Sequence, residues 1–551
     1  MTRPSDPAPA VNGQSECRGV PGAPGPVAEA APPPFRRKLL GREFYESLGS
    51  PKMILAPMVD RSEFAWRMLT RSFMDTESSS PLLTYSPMFH ARLFNTKDTY
   101  RQQHFEALRP SAKNSTPQTT PYLDGNPSID RPLFVQFCAN DPKELLEAAK
   151  HVEPYCDAVD LNLGCPQGIA RKGHYGAFLQ EQPDLIYQLI NKLHTGLSIP
   201  VTAKFRIQET KEKTLEYAKM ILSAGASIIA VHGRQREQKG HNTGVADWSY
   251  IRYLRDNLPP DTVIFANGNI LNHGDIEACM EATGADGVMS AEGNLSDPTI
   301  FSAPPPVGSE GRAYWRGRDG KGGYRLDFMF RRYMDTIYKY VLEAPSPKRP
   351  PLFLSSDPPT ETTEMQATEE PEEEGPPTKK RKKSKGKETK SRSPNLGAMQ
   401  GHLFQLLRPL VTKHTDVRDT LAKARGGDMP TFEDLGTLID QAVKAGIQEY
   451  EQFPERFQDT KDVAGSELTG SKATIAVYKR PWWVCQPHVR PLPEEAVLNG
   501  AMTQKKNALV KEAGGKDAKD DMCGCEPCEA DDVVAVVAAD ASDKENHAVN
   551  G

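Results

Sequence analysis

The sequence lacks the features that would place the protein in or across a membrane. Its 551 residues contain no run of about 18 consecutive apolar residues, the length that a helix needs to cross a bilayer. The N-terminus, rich in proline, alanine and glycine, lacks the apolar run of a secretory signal. The nine cysteines do not have the spacing of a disulfide framework. We therefore expect a soluble intracellular protein, without a membrane partner, that acts as a monomer.

Apolar residues are also scarce, at 38% of the chain. A fraction this low predicts that part of the chain is disordered, and the excess polarity lies at both ends and in one middle stretch. Shifts in composition predict a disordered tail (1–34), a barrel-forming region (35–305), the start of a helical domain (306–344), a disordered charged insertion (345–396), the rest of the helical domain (397–485) and a mostly disordered tail (486–551).

The net charge of −5 gives no reason by itself to expect nucleic acid, but the charge is unevenly distributed. The predicted insertion contains a basic run from Lys379 to Lys387. Such a run is a nuclear address, an RNA-binding patch or a solvated block of charge. We therefore expect the protein in the cytoplasm, the nucleus or both.

Three cysteines near the C-terminus, Cys523, Cys525 and Cys528, raise the question of a zinc site together with Cys485 and His488. A structural zinc ion needs four ligands at suitable spacing, and cysteines in a loose acidic tail more often stay free. We expect no metal site.

Short apolar runs alternate with helical patterns in the first half of the chain. Asp141, Pro142 and Glu144 have the pattern of a capped helix start, and Gly284 follows a helical stripe as a stop signal. Eight runs predict a (β/α)8 TIM barrel. The alternative is an open doubly wound sheet, but no Gly-x-Gly-x-x-Gly follows the first run. The runs are Met53–Pro57, Leu82–Ser86, Leu133–Phe137, Ala158–Asn162, Val201–Phe205, Ile228–His232, Val263–Asn267 and Gly287–Ser290.

Helical patterns return after the barrel, at Leu326–Val341, His402–Leu410 and Phe432–Val443. Their apolar residues recur at the spacing of a helix face. The overall fold class is therefore α/β, a barrel with a C-terminal helical domain that the charged insertion interrupts.

Cys165 stands between Gly164 and Pro166, directly after the fourth apolar run. Glycine and proline restrict the backbone, so the thiol is held on a stiff turn at a strand end, where barrels carry their chemistry. The alternative is a small cysteine that only packs. Polar residues at the other strand ends favour a reactive thiol, since they predict one ring of hydrogen-bonding groups: Gln136, Asn162, Lys204, Arg206, His232, Arg234, Asn267 and Ser290.

This ring suits a flavin, and FMN is the expected cofactor. The main chain at Pro57, Met58 and Val59 can cover the isoalloxazine ring, and Gln136 can hydrogen-bond its pyrimidine edge. Lys204 would place a positive charge where the reduced ring is anionic. Two turns would cradle the phosphate through backbone N–H groups, namely Asn267-Gly268-Asn269 and Ala291-Glu292-Gly293.

Several segments also carry a family resemblance: Ala56-Pro-Met-Val59, Val135-Gln-Phe-Cys-Ala-Asn140, Asp160-Leu-Asn-Leu-Gly-Cys-Pro166, Lys172-Gly-x-Tyr-Gly-Ala177, Lys204-Phe-Arg206, Val231-His-Gly-Arg234 and Asn267-Gly-Asn269. In this order they resemble the tRNA-dihydrouridine synthases. Tyr85–Ala91 and Ser290–Gly293 are most similar to the eukaryotic branch that acts on uridines 16 and 17 of the tRNA D-loop. The family fold is an FMN-bearing (β/α)8 barrel followed by a helical domain.

The resemblance implies a mechanism and residue roles. NADPH or NADH reduces FMN, and a hydride passes to C6 of a uracil ring in tRNA. Cys165 then protonates C5 as a general acid, which suits a thiol because its ordinary pKa of about 8.5 leaves it mostly protonated at neutral pH. Asn162 is implied to orient the base, and His232 to contact the flavin.

Charged residues near the expected mouth have two interpretations each. Arg171, Lys172, Arg206 and Arg234 would bind tRNA phosphate or are simply surface charge. Because Glu292 carries a carboxylate, we expect it to point away from the phosphate and leave the binding to backbone N–H groups.

Two other functions remain open. One is an RNA-binding pseudoenzyme on the same barrel, although the presence of Cys165, Lys204 and Gln136 argues against it. The other is a flavin enzyme that reduces a small molecule.

Overall fold

Eight parallel strands close into a barrel in the computed structural model, which describes residues 37–74, 80–109, 120–358, 393–457 and 480–490. Most strand residues are buried on both faces, as in parallel sheets that helices cover. Every predicted run forms a strand, and the (β/α)8 barrel is confirmed. The strands are Met53–Leu55 (β1), Leu83–His90 (β2), Leu133–Cys138 (β3), Ala158–Leu163 (β4), Val201–Arg206 (β5), Ile228–His232 (β6), Val263–Asn267 (β7) and Gly287–Ser290 (β8).

Pairing between the first and last strands closes the barrel, with Ile54 of β1 opposite Met289 of β8. A short helix, Gly41–Ser47 (α1), packs Tyr45 against the apolar side chains inside the barrel. The Tyr45 hydroxyl donates a hydrogen bond to the carbonyl of Asp286 (2.9 Å), just before β8. The helix therefore covers the N-terminal ends of the strands, and the carboxyl ends are left for a functional site.

Most of the helices that follow the barrel strands bury their apolar faces against the outside of the barrel. Asp141 caps one helix as predicted, since its carboxylate accepts hydrogen bonds from the backbone N–H groups of Lys143 and Glu144 (both 2.9 Å). Gly284 ends another in the left-handed conformation (φ 65°). These helices are Phe64–Arg71 (α2), Ala91–Thr96 (α3), Asp98–His104 (α4), Pro142–Val152 (α5), Gly168–Lys172 (α6), Pro183–Gly196 (α7), Lys211–Ser223 (α8), Trp248–Asn257 (α9), Gly274–Thr283 (α10) and Glu292–Ser296 (α11).

The C-terminal part is helical, as predicted, and begins with a two-stranded hairpin that the sequence patterns did not indicate. A π-helical turn, Ile337–Val341, follows the first of its helices. The elements are Tyr314–Arg316 (β9), Gly322–Tyr324 (β10), Leu326–Thr336 (α12), Pro394–Leu406 (α13), Arg408–Lys413 (α14), Thr415–Lys423 (α15) and Met429–Gln452 (α16).

Buried polar contacts attach the C-terminal helices to the barrel. His402 of α13 is fully buried, and its ring nitrogens lie 2.8 Å from a Glu63 oxygen and 2.9 Å from the Tyr333 hydroxyl. The side-chain oxygen of Asn395 accepts a hydrogen bond from the backbone N–H of Ala65 (2.8 Å). Because these bonds are directional, they fix one orientation of α13 on α2.

Parts of the segments predicted to be disordered belong to the described structure. Residues 345–358 hold ordered contacts, including the carbonyl of Leu352, which accepts a hydrogen bond from Arg312 (2.5 Å). The basic run from Lys379 to Lys387 lies outside the described residues, as do residues 1–34 and most of the C-terminal tail. Within the described ranges, no helix combines the length and the apolar character needed to span a membrane.

A buried ion pair ties α2 to the loop before β3. Arg67 donates to Asp130 (3.0 and 2.5 Å), to Asp124 (2.8 Å) and to the carbonyl of Ser62 (2.8 Å). Arg67 and Asp130 are fully buried, and Arg67 is the nearest cation to both carboxylates, while Arg71 Nε lies 3.9 Å from an Asp130 oxygen as a more distant one.

Replacing Arg67 with methionine is expected to lower the free energy of unfolding by about 3–5 kcal/mol, because the buried Asp124 carboxylate loses its ion-pair partner and the buried Asp130 carboxylate keeps only the more distant Arg71. Denaturant unfolding followed by circular dichroism measures this change. The matched control is Arg252→Met, which breaks an ion pair with Asp256 that is half exposed, and is expected to cost less than about 1 kcal/mol. Equal effects of the two substitutions would contradict the prediction.

Candidate active site

The carboxyl ends of the strands bring the predicted polar residues to one mouth of the barrel. Parallel register places Gln136 beside Asp160, Asn162 beside Lys204, and Arg206 beside His232 on neighbouring strands. His232 in turn lies beside Asn267 of β7. The ring of hydrogen-bonding groups predicted from the strand ends therefore exists as one continuous arrangement.

Cys165 is held on a rigid turn at this mouth. The side-chain oxygen of Asn162 accepts hydrogen bonds from the backbone N–H groups of Gly164 (3.1 Å) and Cys165 (2.9 Å). The Cys165 carbonyl accepts a third from Ala177 (3.0 Å). Gly176 has a positive φ of 66°, and a Cβ there would lie 2.8 Å from the Cys165 carbonyl oxygen, so only glycine allows this approach.

A buried carboxylate, Asp160, orients the residues beneath the turn. It accepts hydrogen bonds from the Gln136 amide (2.8 Å) and the Thr202 hydroxyl (2.6 Å). The Gln136 side-chain oxygen then accepts one from the Asn162 amide (2.9 Å). Burial raises the pKa of Asp160 to about 6, while the hydrogen bonds from Thr202 and Gln136 oppose that shift.

Sequence reasoning passed over Asp160, although the residue lies inside a segment quoted for the family resemblance. A signal was present, because an aspartate between valine and leucine in an apolar strand is a buried charge that needs partners. The sequence assigns Gln136 to the flavin and Asn162 to the base. The structure adds that both also belong to one hydrogen-bonded chain ending at Cys165.

The thiol of Cys165 and the ammonium of Lys204 share this mouth. Burial raises the pKa of Cys165 above its ordinary value, against opposing contributions from the Gln167 backbone and the cations Arg206 and Lys204. Burial, assisted by Arg206, lowers the pKa of Lys204 to about 8. At neutral pH the thiol is therefore protonated and the lysine is mostly charged.

Lys204 provides a cation for a bound group. Within the described part of the chain, its ammonium makes no hydrogen bond or ion pair, and it interacts electrostatically with Asp160 and Cys165. A partly buried ammonium directed at the mouth fits the anionic edge of a reduced flavin. The donor set at the strand ends thus fits the expected cofactor.

Arg206 and Arg234 are buried, which excludes the interpretation that they are surface charge. Arg206 donates to the carbonyls of Gly164 (2.9 Å), Gln235 (2.9 Å) and Gln238 (2.9 Å). It therefore joins the cysteine turn to the loop after β6. Binding of tRNA phosphate by Arg206 and Arg234 stays a prediction, whereas Arg171 and Lys172 are exposed at the end of α6.

Arg234 fixes the ring of His232. Its guanidinium donates to His232 Nε2 (2.8 Å), to the Asn269 side-chain oxygen (2.8 Å) and to the carbonyl of Gly244 (3.1 Å). Because arginine only donates, His232 Nε2 accepts, and the proton of the neutral ring lies on Nδ1. Burial and the cations Arg206 and Lys204 hold the pKa of His232 well below its ordinary value, consistent with the neutral form.

The turns after β7 and β8 have the tight backbone expected of a phosphate cradle. Gly268 (φ 108°) and Asn269 (φ 62°) are both left-handed, and a Cβ on Gly268 would lie 2.6 Å from the Cβ of Ala246. A Cβ on Gly293 would lie 2.3 Å from the carbonyl of Ile270. Successive backbone N–H groups in such turns form concave anion sites, and barrels bind phosphate at this position.

The remaining predicted cofactor residues border this cradle and the first strand. Met58 is tied to the following turn by its N–H, which donates to the Ser62 hydroxyl (3.0 Å), and Val59 beside it is exposed. Glu292 follows Ala291 at the start of α11, and its carboxylate lies at His488 and Arg490. Pro57 precedes Met58 in the same partly exposed loop.

Among the described residues, no group of three or more histidine, cysteine or acidic side chains could hold a metal ion. Cys523, Cys525 and Cys528 lie outside the described residues, and Cys485 is a buried free thiol. The expectation that the protein has no metal site stays a prediction.

Comparison with known proteins extends these observations to most of the chain. The sequence model of the family described as Dihydrouridine synthase (Dus) matches residues 54–309, which span the barrel. A Saccharomyces cerevisiae protein named tRNA-dihydrouridine(16/17) synthase (NAD(P)(+)) is 40% identical over 501 residues, covering 90% of this chain and 96% of the relative. A Schizosaccharomyces pombe protein of the same name is 44% identical over 485 residues, covering 86% and 99%.

A mouse protein named tRNA-dihydrouridine(16/17) synthase (NAD(P)(+))-like is 33% identical over 481 residues, which cover 87% of this chain and 77% of the relative. The resemblance that the strand-end segments carry is therefore confirmed over the barrel and beyond it. With its closed barrel, its cysteine turn and these full-length relatives, the chain belongs to the dihydrouridine synthase family.

Proposed function

We propose that the protein is a tRNA-dihydrouridine(16/17) synthase, which reduces the C5=C6 bond of uridines 16 and 17 in the tRNA D-loop with FMN and NADPH or NADH. The observation that carries this proposal is the clamped Cys165 turn at the mouth of the barrel. Relatives with this name, 40% and 44% identical over most of the chain, support the substrate and the NAD(P) reductant.

The described residues fit FMN at this mouth. The main chain at Pro57 to Val59, the amide of Gln136, the ammonium of Lys204 and the ring of His232 would hold the isoalloxazine, and the turns at 267–269 and 291–293 would hold the phosphate. When bound and reduced by NADPH or NADH, this group supplies a hydride to C6 of the uracil ring.

Cys165 completes the reduction by donating its proton from Sγ to C5. One hydride and one proton add across C5=C6, so the π bond is lost and two C–H bonds form. The thiolate that remains regains a proton from solvent. Burial favours this role because it raises the pKa of Cys165 and keeps the thiol protonated at neutral pH.

The target base must leave its stack to reach a thiol inside the mouth, and D-loop uridines without strong pairing make this step inexpensive. The exposed cations Arg171 and Lys172 lie on α6, which directly follows the cysteine turn. Their position supports contact with tRNA phosphates near the target nucleotide. The basic run from Lys379 to Lys387 supports access to the nucleus as well as the cytoplasm.

Replacing Cys165 with alanine is expected to lower dihydrouridine formation by about 10²- to 10⁴-fold, since a general acid contributes this much to a reaction. Mass spectrometry of nuclease fragments from unmodified tRNA, incubated with FMN and NADPH, locates each uridine that gains two hydrogens. The control is Cys279→Ala, since Cys279 is buried in α10, outside the mouth. Wild-type rates in the Cys165 variant would show that the proton comes from elsewhere.

Protonation of Asp160 is expected to reduce activity at low pH. The kcat/KM should fall as the pH drops through about 6, because the protonated carboxyl no longer accepts both hydrogen bonds that align Gln136 and Asn162. Steady-state rates between pH 5 and 8 measure this fall in kcat/KM, the acid limb of the pH profile.

Two variants identify the group that titrates. Asp160→Asn should lose the acid limb and be about 10- to 100-fold less active at pH 8, because the chain beneath Cys165 is misaligned. Thr202→Val should move the limb to higher pH, since the Thr202 hydrogen bond lowers the pKa of Asp160. An unchanged limb in Asp160→Asn would assign it to another group.

A further inference from the structure

Residues 480–490 return from the C-terminal part of the chain to the barrel mouth. The carbonyl of Trp483 accepts a hydrogen bond from Leu326 (2.9 Å), and the N–H of Cys485 donates to the carbonyl of Tyr324 (2.9 Å). Trp483 is fully buried. The first half of the segment is therefore fixed beside β10, and this anchor sets where its last residues lie.

The last residues of this segment meet the turn after β8. The guanidinium of Arg490 forms an ion pair with the carboxylate of Glu292, and His488 Nε2 lies 3.6 Å from the same oxygen. The Arg490 side chain is only 13% exposed, so it is a mostly desolvated cation. The Glu292 carboxylate thus faces the C-terminal segment.

Arg490 adds to a concentration of positive charge over β5, β6 and β7. It interacts electrostatically with Arg206, His232 and Arg234, in each case disfavouring the protonated form. Arg206 donates to loop carbonyls, and Arg234 donates to a loop carbonyl and two side chains. The carboxylate of Glu292 pairs with Arg490. Cations that lie close together in a partly desolvated site repel one another, and a bound anion reduces this repulsion.

The position of this charge matches the phosphate cradle. Glu292 belongs to the turn after β8, and Arg234 binds Asn269 in the turn after β7. These are the two turns at which (β/α)8 barrels bind phosphate. A guanidinium has five N–H donors in a planar fork, so it can pair with a carboxylate and a phosphate together.

We propose that Arg490 binds the phosphate of the flavin cofactor, with Glu292 positioning its guanidinium, so that residues 480–490 complete a cofactor site otherwise built by the barrel. This inference rests on the proposed function, since it takes FMN as the ligand. It assigns a binding role to a residue almost 200 positions after the turn that it meets.

The test compares FMN with riboflavin, which has the same ring and ribityl chain but no phosphate. Full-length protein freed of flavin is titrated with each ligand, and quenching of flavin fluorescence gives both dissociation constants. Arg490→Ala should weaken FMN about 10- to 100-fold, the usual effect of losing a charged hydrogen bond, and change riboflavin less than about twofold. Arg490→Lys, which keeps the charge but loses the fork, should lie between.

The matched control is Arg480→Ala, in the same segment. Arg480 donates to the carbonyl of Cys485 (3.3 Å) and lies 3.8 Å from Asp297, away from Glu292. Arg480→Ala should weaken the binding of both ligands equally or leave both dissociation constants unchanged. If the alanine variant at 490 fails to fold, Arg490→Lys against wild type still provides the comparison of the two ligands.

Two results of the titration would overturn the inference: equal weakening of FMN and riboflavin, which means that Arg490 only packs, or unchanged binding of both ligands. Unchanged FMN binding together with weaker tRNA binding, measured in a separate binding assay, would also overturn it and would mean an RNA contact. The titration uses neither tRNA nor reductant, so a failure of the proposed reaction leaves it interpretable. Protein that binds neither flavin would contradict both the proposed cofactor and this inference.

Discussion

The position of the reactive thiol depends on one buried carboxylate. Asp160 can accept hydrogen bonds but not donate them, so the Gln136 amide must turn its nitrogen toward Asp160 and its oxygen toward Asn162. Asn162 must then present its own oxygen to the backbone of Gly164 and Cys165. Each amide has one donor side and one acceptor side, so a single charge determines the orientation of every following group. Burying that charge is costly, and its two hydrogen bonds offset the cost.

Local patterns predicted the barrel because an apolar run flanked by helix signals indicates a strand without reference to distant residues. The same patterns placed Gln136, Lys204 and Cys165 at strand ends. They could not tell whether the Arg206 guanidinium meets water or the carbonyls of a loop about 30 positions later, since that depends on tertiary packing. The segment 480–490 was missed for a similar reason. Composition assigns residues 480–485 to the predicted helical domain and residues 486–490 to the predicted disordered tail, and the anchors of the segment are residues more than 150 positions earlier.

The C-terminal helices also support the active-site mouth. The Asn294 side-chain oxygen accepts a hydrogen bond from the Trp66 indole N–H (2.7 Å), and α13 contacts the helix α11 that contains Asn294. The helix α11 follows directly after the second phosphate turn. This side of the mouth is therefore packed between the barrel and the C-terminal helices. Polar pairs at this junction, such as His402 with Glu63, fix its geometry, because a shifted arrangement would leave buried groups unpaired.

The junction also has a consequence for the order in which the newly made chain can fold. Glu63 and His402 are 339 positions apart, so a ribosome adding 5–20 residues per second exposes α2 roughly 17–68 s before its partner helix is made. The last barrel strand is complete well before α13 begins. During that interval the apolar face of α2, including Phe64, Trp66 and Leu69, lacks part of its final cover. Until α13 is made, the nascent barrel therefore has apolar surface on α2 that the helical part later covers.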